Sequence, residues 1–163
     1  MMVIEVMTDA DWLEVAGIYQ AGMDSNLATF QTICPSFEEW DKGHLRNCRL
    51  TIRQNGNIAG WGALSPVSSR PVYAGVCEVS IYVAPDRQGK GVGKTLMAAL
   101  IECSVENGIW TLQSSIMSDN TASLALHEKC GFRQVGYREQ IGRDRHGVWR
   151  DTVLMERREP SIK

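Results

Sequence analysis

The segment Gln88-Gly89-Lys90-Gly91-Val92-Gly93 constrains this chain more than any other, because of what stands on either side of it. Before it, Val76-Cys77-Glu78-Val79-Ser80-Ile81-Tyr82-Val83 reads as a β-strand closed by Ala84-Pro85-Asp86. After it, Val92, Leu96, Ala99, Leu100 and Cys103 recur at helical spacing. A strand, a glycine loop and a helix in that order gather bare backbone N–H groups and a helix N-terminus around one point, which suits a phosphate. Glycines at 89, 91 and 93 remove the side chains that would obstruct the approach, and three alternating glycines exceed what one tight turn requires. Spacing rules out two nucleotide motifs. A P-loop ending in Gly93-Lys94-Thr95 would need a glycine where Gln88 stands, and a dinucleotide fingerprint would need a further glycine within Lys94-Thr95-Leu96.

Length and composition suit one domain spanning residues 1–163: the apolar share is 44% and no linker, repeat or low-complexity tract interrupts the chain. A formal net charge of -2 without long basic runs argues against nucleic acid as a partner. Glu5, Asp9 and Asp11 near the start, with no long apolar stretch, predict neither a signal peptide nor a membrane span. The five cysteines, at 34, 48, 77, 103 and 130, form no Cys-x-x-Cys pair. They read as reduced thiols of a cytoplasmic protein, with no metal site.

Local signals predict a mixed α+β order. Residues 2–7 read as a strand, and Thr8 with Asp11 opens a helix carrying Trp12, Val15, Ala16 and Tyr19. Ser36 and Glu39 form a second capping box, for a helix to about Asn47. Arg49–Gln54, Asn55-Gly56 and Asn57–Leu64 predict a hairpin with a type I′ turn. Beyond the glycine loop and its helix come a strand over 110–116, a helix over 119–129, and strands near 132–141 and 149–156.

Gln-x-x-Gly-x-Gly after a β-strand resembles the acyl-CoA signature of the GNAT superfamily of N-acetyltransferases. Asn120-Thr121-Ala122-Ser123-Leu124-Ala125-Leu126-His127-Glu128-Lys129-Cys130-Gly131-Phe132 resembles that superfamily's later helix and its closing Gly-Phe. Thr29-Phe30, Glu78–Val83, Leu126-His127-Glu128 and Trp149-Arg150-Asp151 are similar to the bacterial phosphinothricin and methionine-sulfoximine N-acetyltransferases. The resemblance runs over nearly the whole chain and is more specific for the cofactor than for the acceptor. It implies a single mixed, mostly antiparallel central sheet flanked by helices, acetyl-CoA as co-substrate, a small-molecule amine as acceptor, and a homodimer.

Within that frame particular residues become candidates. Strand alternation puts Glu78, Ser80 and Tyr82 on one face and Cys77, Val79, Ile81 and Val83 on the other. A carboxylate in an otherwise apolar strand is costly unless solvated, paired or used, so Glu78 is the candidate general base and a contact for the acceptor's amine. An ion pair with Arg70 or another cation is its alternative. The resemblance implies that the backbone at Ile81, Tyr82 and Val83 holds the pantetheine arm and polarises the acetyl carbonyl, and that Gln88 to Lys94 (Gly89, Lys90, Gly91, Val92 and Gly93 between them) surround the pyrophosphate. Asn120, Ser123 and His127 share a helical face. Asn120 either caps its helix or touches the cofactor arm with Ser123. His127 stands where many superfamily members carry a tyrosine that protonates the leaving thiolate, and is either a general acid or a structural or cofactor-contacting residue. Phe30, Arg70 and Tyr73 lie in loops flanking the central strand and are candidates for the acceptor, Arg70 through a substrate carboxylate. Trp149 suits a pocket wall or an interface. Two other readings remain open: the same chemistry on a polyamine, arylamine or protein N-terminus, and a CoA-binding sensor without catalysis.

Overall fold

A computed structural model describes residues 1–163. One seven-stranded sheet organises the chain, in the order β1-β2-β3-β4-β5-β7-β6. Its strands are β1 (Met2–Val6), β2 (Leu50–Gln54), β3 (Asn57–Pro66), β4 (Val76–Val83), β5 (Thr111–Met117), β6 (Arg133–Arg143) and β7 (Trp149–Arg158). The helices are α1 (Trp12–Asp24), α2 (Phe37–Gly43), α3 (Val92–Glu106) and α4 (Thr121–Lys129). Every strand pair is antiparallel except β4 with β5, which α3 connects as a crossover.

Local chemistry accounts for the element ends. The backbone N–H of Thr8 donates to the Asp11 carboxylate at 2.8 Å, but the box it closes starts a short 3-10 turn (Asp9–Asp11) ahead of α1. Ser36 accepts from the backbone N–H of Glu39 at 3.2 Å, and α2 stops at Gly43, four residues short of the expected Asn47. Asn55 (φ 54°) and Gly56 (φ 84°) both take the left-handed conformation of a type I′ turn, fixing the β2–β3 register.

The sheet is buried on both sides, by different partners. Leu96, Met97 and Leu100 of α3 pack on Ile52, Leu64, Cys77, Val79 and Leu112. Val15, Ile18, Tyr19 and Met23 of α1 and Trp40 of α2 pack on Ile58, Trp61 and Ala63. Strand β4 therefore splits as its alternation requires, Cys77 and Val79 into the α3 side and Tyr82 against the α1 side. Removing a side chain as enclosed as Leu96 or Leu100 would cost about 2–5 kcal/mol.

Candidate active site

Strands β4 and β5 pair only at Val76–Thr111, Cys77–Leu112 and Glu78–Gln113. Beyond Glu78 they separate, so from Val79 onward this edge of β4 has no strand partner. The opening continues into a groove of about 1020 Å³ lined by β4, the glycine loop, α4, the segment after α1, and β5 to β7.

At one end the groove meets the start of α3. Gly91 is the N-cap, with φ 82°, and no side chain caps the helix. The N–H groups of Val92, Gly93 and Lys94 have no acceptor within the chain, and a Cβ built on Gly89 or Gly91 would meet nothing within 4 Å. Gly93 differs: its Cβ would lie 3.2 Å from Leu126 of α4, so this glycine also lets α3 and α4 approach. Gln88, Gly89, Gly91, Gly93 and Lys94 all line the groove. Val92 contributes backbone alone, its side chain being core, and Lys90 lies off the groove with its ammonium donating to the Asp86 carbonyl at 3.1 Å. Uncapped N–H groups together with Lys94 and Lys129, neither of which is paired with a carboxylate, make this end an anion site that fits a pyrophosphate.

At the notch itself, Glu78, Ser80 and Tyr82 face the α1 side and line the groove. The exposed Glu78 carboxylate has no hydrogen-bond or ion partner within the chain, which leaves it available to a substrate or water. Its alternative as the partner of Arg70 is not realised, because the Arg70 guanidinium lies over the Tyr73 ring, 5.5 Å from its centroid. Burial, with Tyr19 nearby, pushes the Tyr82 phenol up, so it stays protonated. Tyr82 also fills the space over Gly22 of α1, where a Cβ would come within 2.6 Å of its ring.

His127 is 2% exposed. Its Nδ1 lies 2.7 Å from the Ser123 carbonyl and must carry the proton, so Nε2 accepts from the Ser114 hydroxyl at 2.9 Å. Burial pushes its pKa down, against the opposing Ser123 hydrogen bond. A neutral imidazole with both nitrogens engaged has no proton to give, which favours the structural alternative over the general acid. Asn120 is the cap of α4: its Oδ1 accepts from the Ser123 N–H at 3.2 Å and its Nδ2 donates to the Leu27 carbonyl at 3.3 Å. Asn120, Ser123 and His127 all nonetheless line the groove.

The wall of the groove away from the glycine loop comes in part from the segment after α1. A clamp distant in sequence holds it: Asn26 donates to Asp144 at 3.0 Å, Arg150 reaches the Asn26 carbonyl (2.9 Å), Asp144 (3.2 Å) and Asp119 (2.8 Å), and Arg145 donates to the Met23 carbonyl at 2.9 Å. The Asn26 hydrogen bond, with Arg150 and two backbone donors, holds the Asp144 carboxyl well below the usual carboxylate range. Phe30 lines the groove and packs against Gly142, where a Cβ would be 3.1 Å from its ring. Arg70 and Tyr73 do not line it. Tyr73 borders a separate depression of about 460 Å³ with Val67, Val72, Val76 and Trp110. Trp149 is half exposed, under the Arg143 guanidinium at 4.4 Å. Sequence reasoning did not single out Ser115, Met117, Arg138, Ile141 and Thr152, which complete the wall from β5, β6 and β7. Only the order of those strands brings them together.

Comparison with known proteins agrees with this geometry. Residues 14–132 match the family model described as Acetyltransferase (GNAT) family. The chain is 33% identical over 161 residues to phosphinothricin N-acetyltransferase of Alcaligenes faecalis, covering 94% of this chain and 81% of that protein. It is 34% identical over 101 residues to the L-methionine sulfoximine/L-methionine sulfone acetyltransferase of Pseudomonas aeruginosa, covering 62% of this chain and 58% of that protein. The crystal structure of a GNAT superfamily phosphinothricin acetyltransferase from Sinorhizobium meliloti in complex with AcCoA superimposes with a TM-score of 0.88, at 26% identity, over 99% of this chain and 92% of that one. With the splayed β4–β5 pair and the uncapped glycine loop in place, these matches make the chain a member of the GNAT family of acetyltransferases.

Proposed function

We propose that this acetyltransferase moves an acetyl group from acetyl-CoA to the primary amine of a small amino acid or analogue, of the phosphinothricin, methionine sulfoximine or methionine sulfone type, by direct attack in a ternary complex. The observation that carries the reading is one continuous groove, with an uncapped helix N-terminus and lysines at one end and an unpaired carboxylate, Glu78, at the other. Bound acetyl-CoA supplies an activated acetyl thioester.

The chain's own residues do the rest. The first N–H groups of α3 and Lys94 hold the pyrophosphate, and the unpaired β4 edge from Val79 to Val83 aligns the pantetheine arm and hydrogen-bonds the acetyl oxygen. Glu78, directly or through a water, takes the proton of an acceptor amine that is mostly ammonium at neutral pH. Direct attack fits the thiols. Cys77 is 1% exposed and faces the core, and burial pushes the thiols of both Cys77 and Cys130 up, away from nucleophilic thiolate.

The polyamine alternative fits poorly. Glu78 is the only carboxylate lining the groove, and the acidic cluster a polyamine would need, Glu38-Glu39 with Asp41, lies outside it, with Asp41 held by Arg49 at 2.6 Å and Glu38 by Lys42 at 3.3 Å. The test is thiol release from acetyl-CoA against amino acids, polyamines and peptides, for the wild type and Glu78→Gln. Amino acids should be acetylated with no covalently acetylated enzyme in the intact mass spectrum. Glu78→Gln should lower kcat by about 10²–10⁴ with little change in acetyl-CoA affinity, and by less at high pH, where free amine accumulates. Release with polyamines alone would overturn the acceptor reading, and a wild-type-to-mutant ratio that is flat with pH would remove Glu78 as base.

A further inference from the structure

Among the twelve arginines of this chain, Arg138 is singular. Eight others lie within ion-pair distance of carboxylates. Arg70 and Arg143 lie over aromatic rings, and Arg158 donates to two backbone carbonyls. Arg138 meets no carboxylate, ring or carbonyl in the fold, yet it lines the groove.

Register fixes which side of the sheet it serves. Arg138 stands opposite Thr152 of β7, and Thr152 opposite Met117 of β5. Met117 lies two pleats on from Gln113, the partner of Glu78, so period-two alternation puts Arg138 on the same face as Glu78. The remaining cations of the groove, Arg87, Lys94 and Lys129, belong to the 3-10 turn just ahead of the glycine loop (Pro85–Arg87), α3 and α4, on the phosphate side. The acceptor side therefore presents one carboxylate and one guanidinium, neither neutralised by the protein. Such a pair of opposite charges complements a zwitterion, whereas a polyamine, positive at both ends, would meet repulsion at the second site.

We infer that Arg138 is the subsite for the carboxylate of an α-amino acid acceptor whose amine is directed at Glu78. The inference rests on the amine-acetylation reading above. A guanidinium takes a carboxylate through two parallel hydrogen bonds, so Arg138 also orients the acceptor and discriminates against amines that lack the anion.

The experiment compares the wild type, Arg138→Gln, Arg138→Lys and Arg70→Gln on methionine sulfone and on its carboxamide. Arg138→Gln should raise KM for the amino acid about ten- to a hundredfold, with kcat and the KM for acetyl-CoA within a few-fold of wild type. Arg138→Lys should recover part of the loss. On the carboxamide the wild type should fall to the level of Arg138→Gln, and the mutant should lose little more, since the interaction is already gone. A merely structural role would not give that non-additivity. If the wild type acetylates amino acids and Arg138→Gln does so equally well, or if the loss is confined to Arg70→Gln, the subsite assignment is overturned while the amino-acid reading stands. If the wild type prefers the carboxamide or a polyamine to the zwitterion, both fall.

Discussion

Gly91 offers the sharpest separation of folding from binding. At φ 82° it occupies left-handed backbone at the start of α3, where a side chain would meet no steric neighbour within 4 Å. The cost of Gly91→Ala is therefore conformational and comes to about 1–2 kcal/mol. For a domain of this size each kcal/mol moves Tm by about 2–4 °C, so Gly91→Ala should melt about 2–8 °C below wild type. Asparagine tolerates the same backbone region, and Gly91→Asn should recover at least half of that loss. Gly17 supplies the opposite sign: it lies within α1 at ordinary φ with open space around its Cβ position, so Gly17→Ala should raise stability by roughly 0.5–1 kcal/mol. Binding should follow a different order. Both substitutions at 91 place atoms where a phosphate must approach bare N–H groups, and forfeiting one charge-assisted hydrogen bond costs about 1.5–3 kcal/mol, on the order of ten- to a hundredfold in affinity. Thermal melts and calorimetric titration with acetyl-CoA measure the two effects independently. Equal melting temperatures for Gly91→Ala and Gly91→Asn would refute the backbone argument. Full affinity in the folded Gly91→Asn protein would refute the phosphate argument.

Two other outcomes follow from the buried polar side chains. His127→Gln should lower Tm, because it strands the buried Ser114 hydroxyl at a cost of about 1–3 kcal/mol, while kcat stays within a few-fold; a hundredfold fall in kcat at unchanged Tm would restore His127 as a general acid. Acid sensitivity should arrive in two stages, since a folded pKa below the unfolded one gives stability that is complete above the unfolded value and is lost as pH falls. Burial lowers both His127 and His44, so the first decline begins below pH ~6.5, and the Asn26-bonded Asp144 adds a second below pH ~4. Melts across pH should show Asp144→Asn flattening only the lower stage, and a flattened upper stage instead would refute the assignment.

What the sequence made legible was what short-range physics decides. The Asn55-Gly56 turn, the Ser36 cap, the alternation of β4 and the period of α3 each depend on neighbours a few residues away, and each stands as expected. The glycine-loop end of the groove belongs to that class, because loop and helix are contiguous. The opposite end does not. Arg138, Ile141, Thr152, Met117 and Ser115 converge only because β7 inserts between β5 and β6, and strand order carries no local signature. The clamp joining Asn26 to Asp144 and Arg150 spans well over a hundred residues, and nothing in Ser25-Asn26-Leu27 announces it. Arg70 and Tyr73 show the same limit: the loop they occupy flanks the right strand, but Tyr73 borders a neighbouring depression and the Arg70 guanidinium lies over the Tyr73 ring. His127 was ambiguous until its partner across the groove floor, Ser114, was in place.

The neutral His127 also bears on how protons must move. An ammonium acceptor loses two protons in becoming a secondary amide, and the departing thiolate gains one, so each turnover releases a single proton. If Glu78 takes the first proton, only the second need reach the sulfur, and it starts on the attacking nitrogen, beside the bond being broken. A thiol pKa of about 8.5 makes that transfer, direct or through water, undemanding at neutral pH. The protein then has little need for a dedicated acid at the thiol end, and a histidine there can be committed to its hydrogen bonds with Ser114 and Ser123. As the proposed base, Glu78 would have the opposite burden, since its proton would have to reach bulk water before the next cycle. Its exposure, with no cation holding the carboxylate, is the condition that this requires.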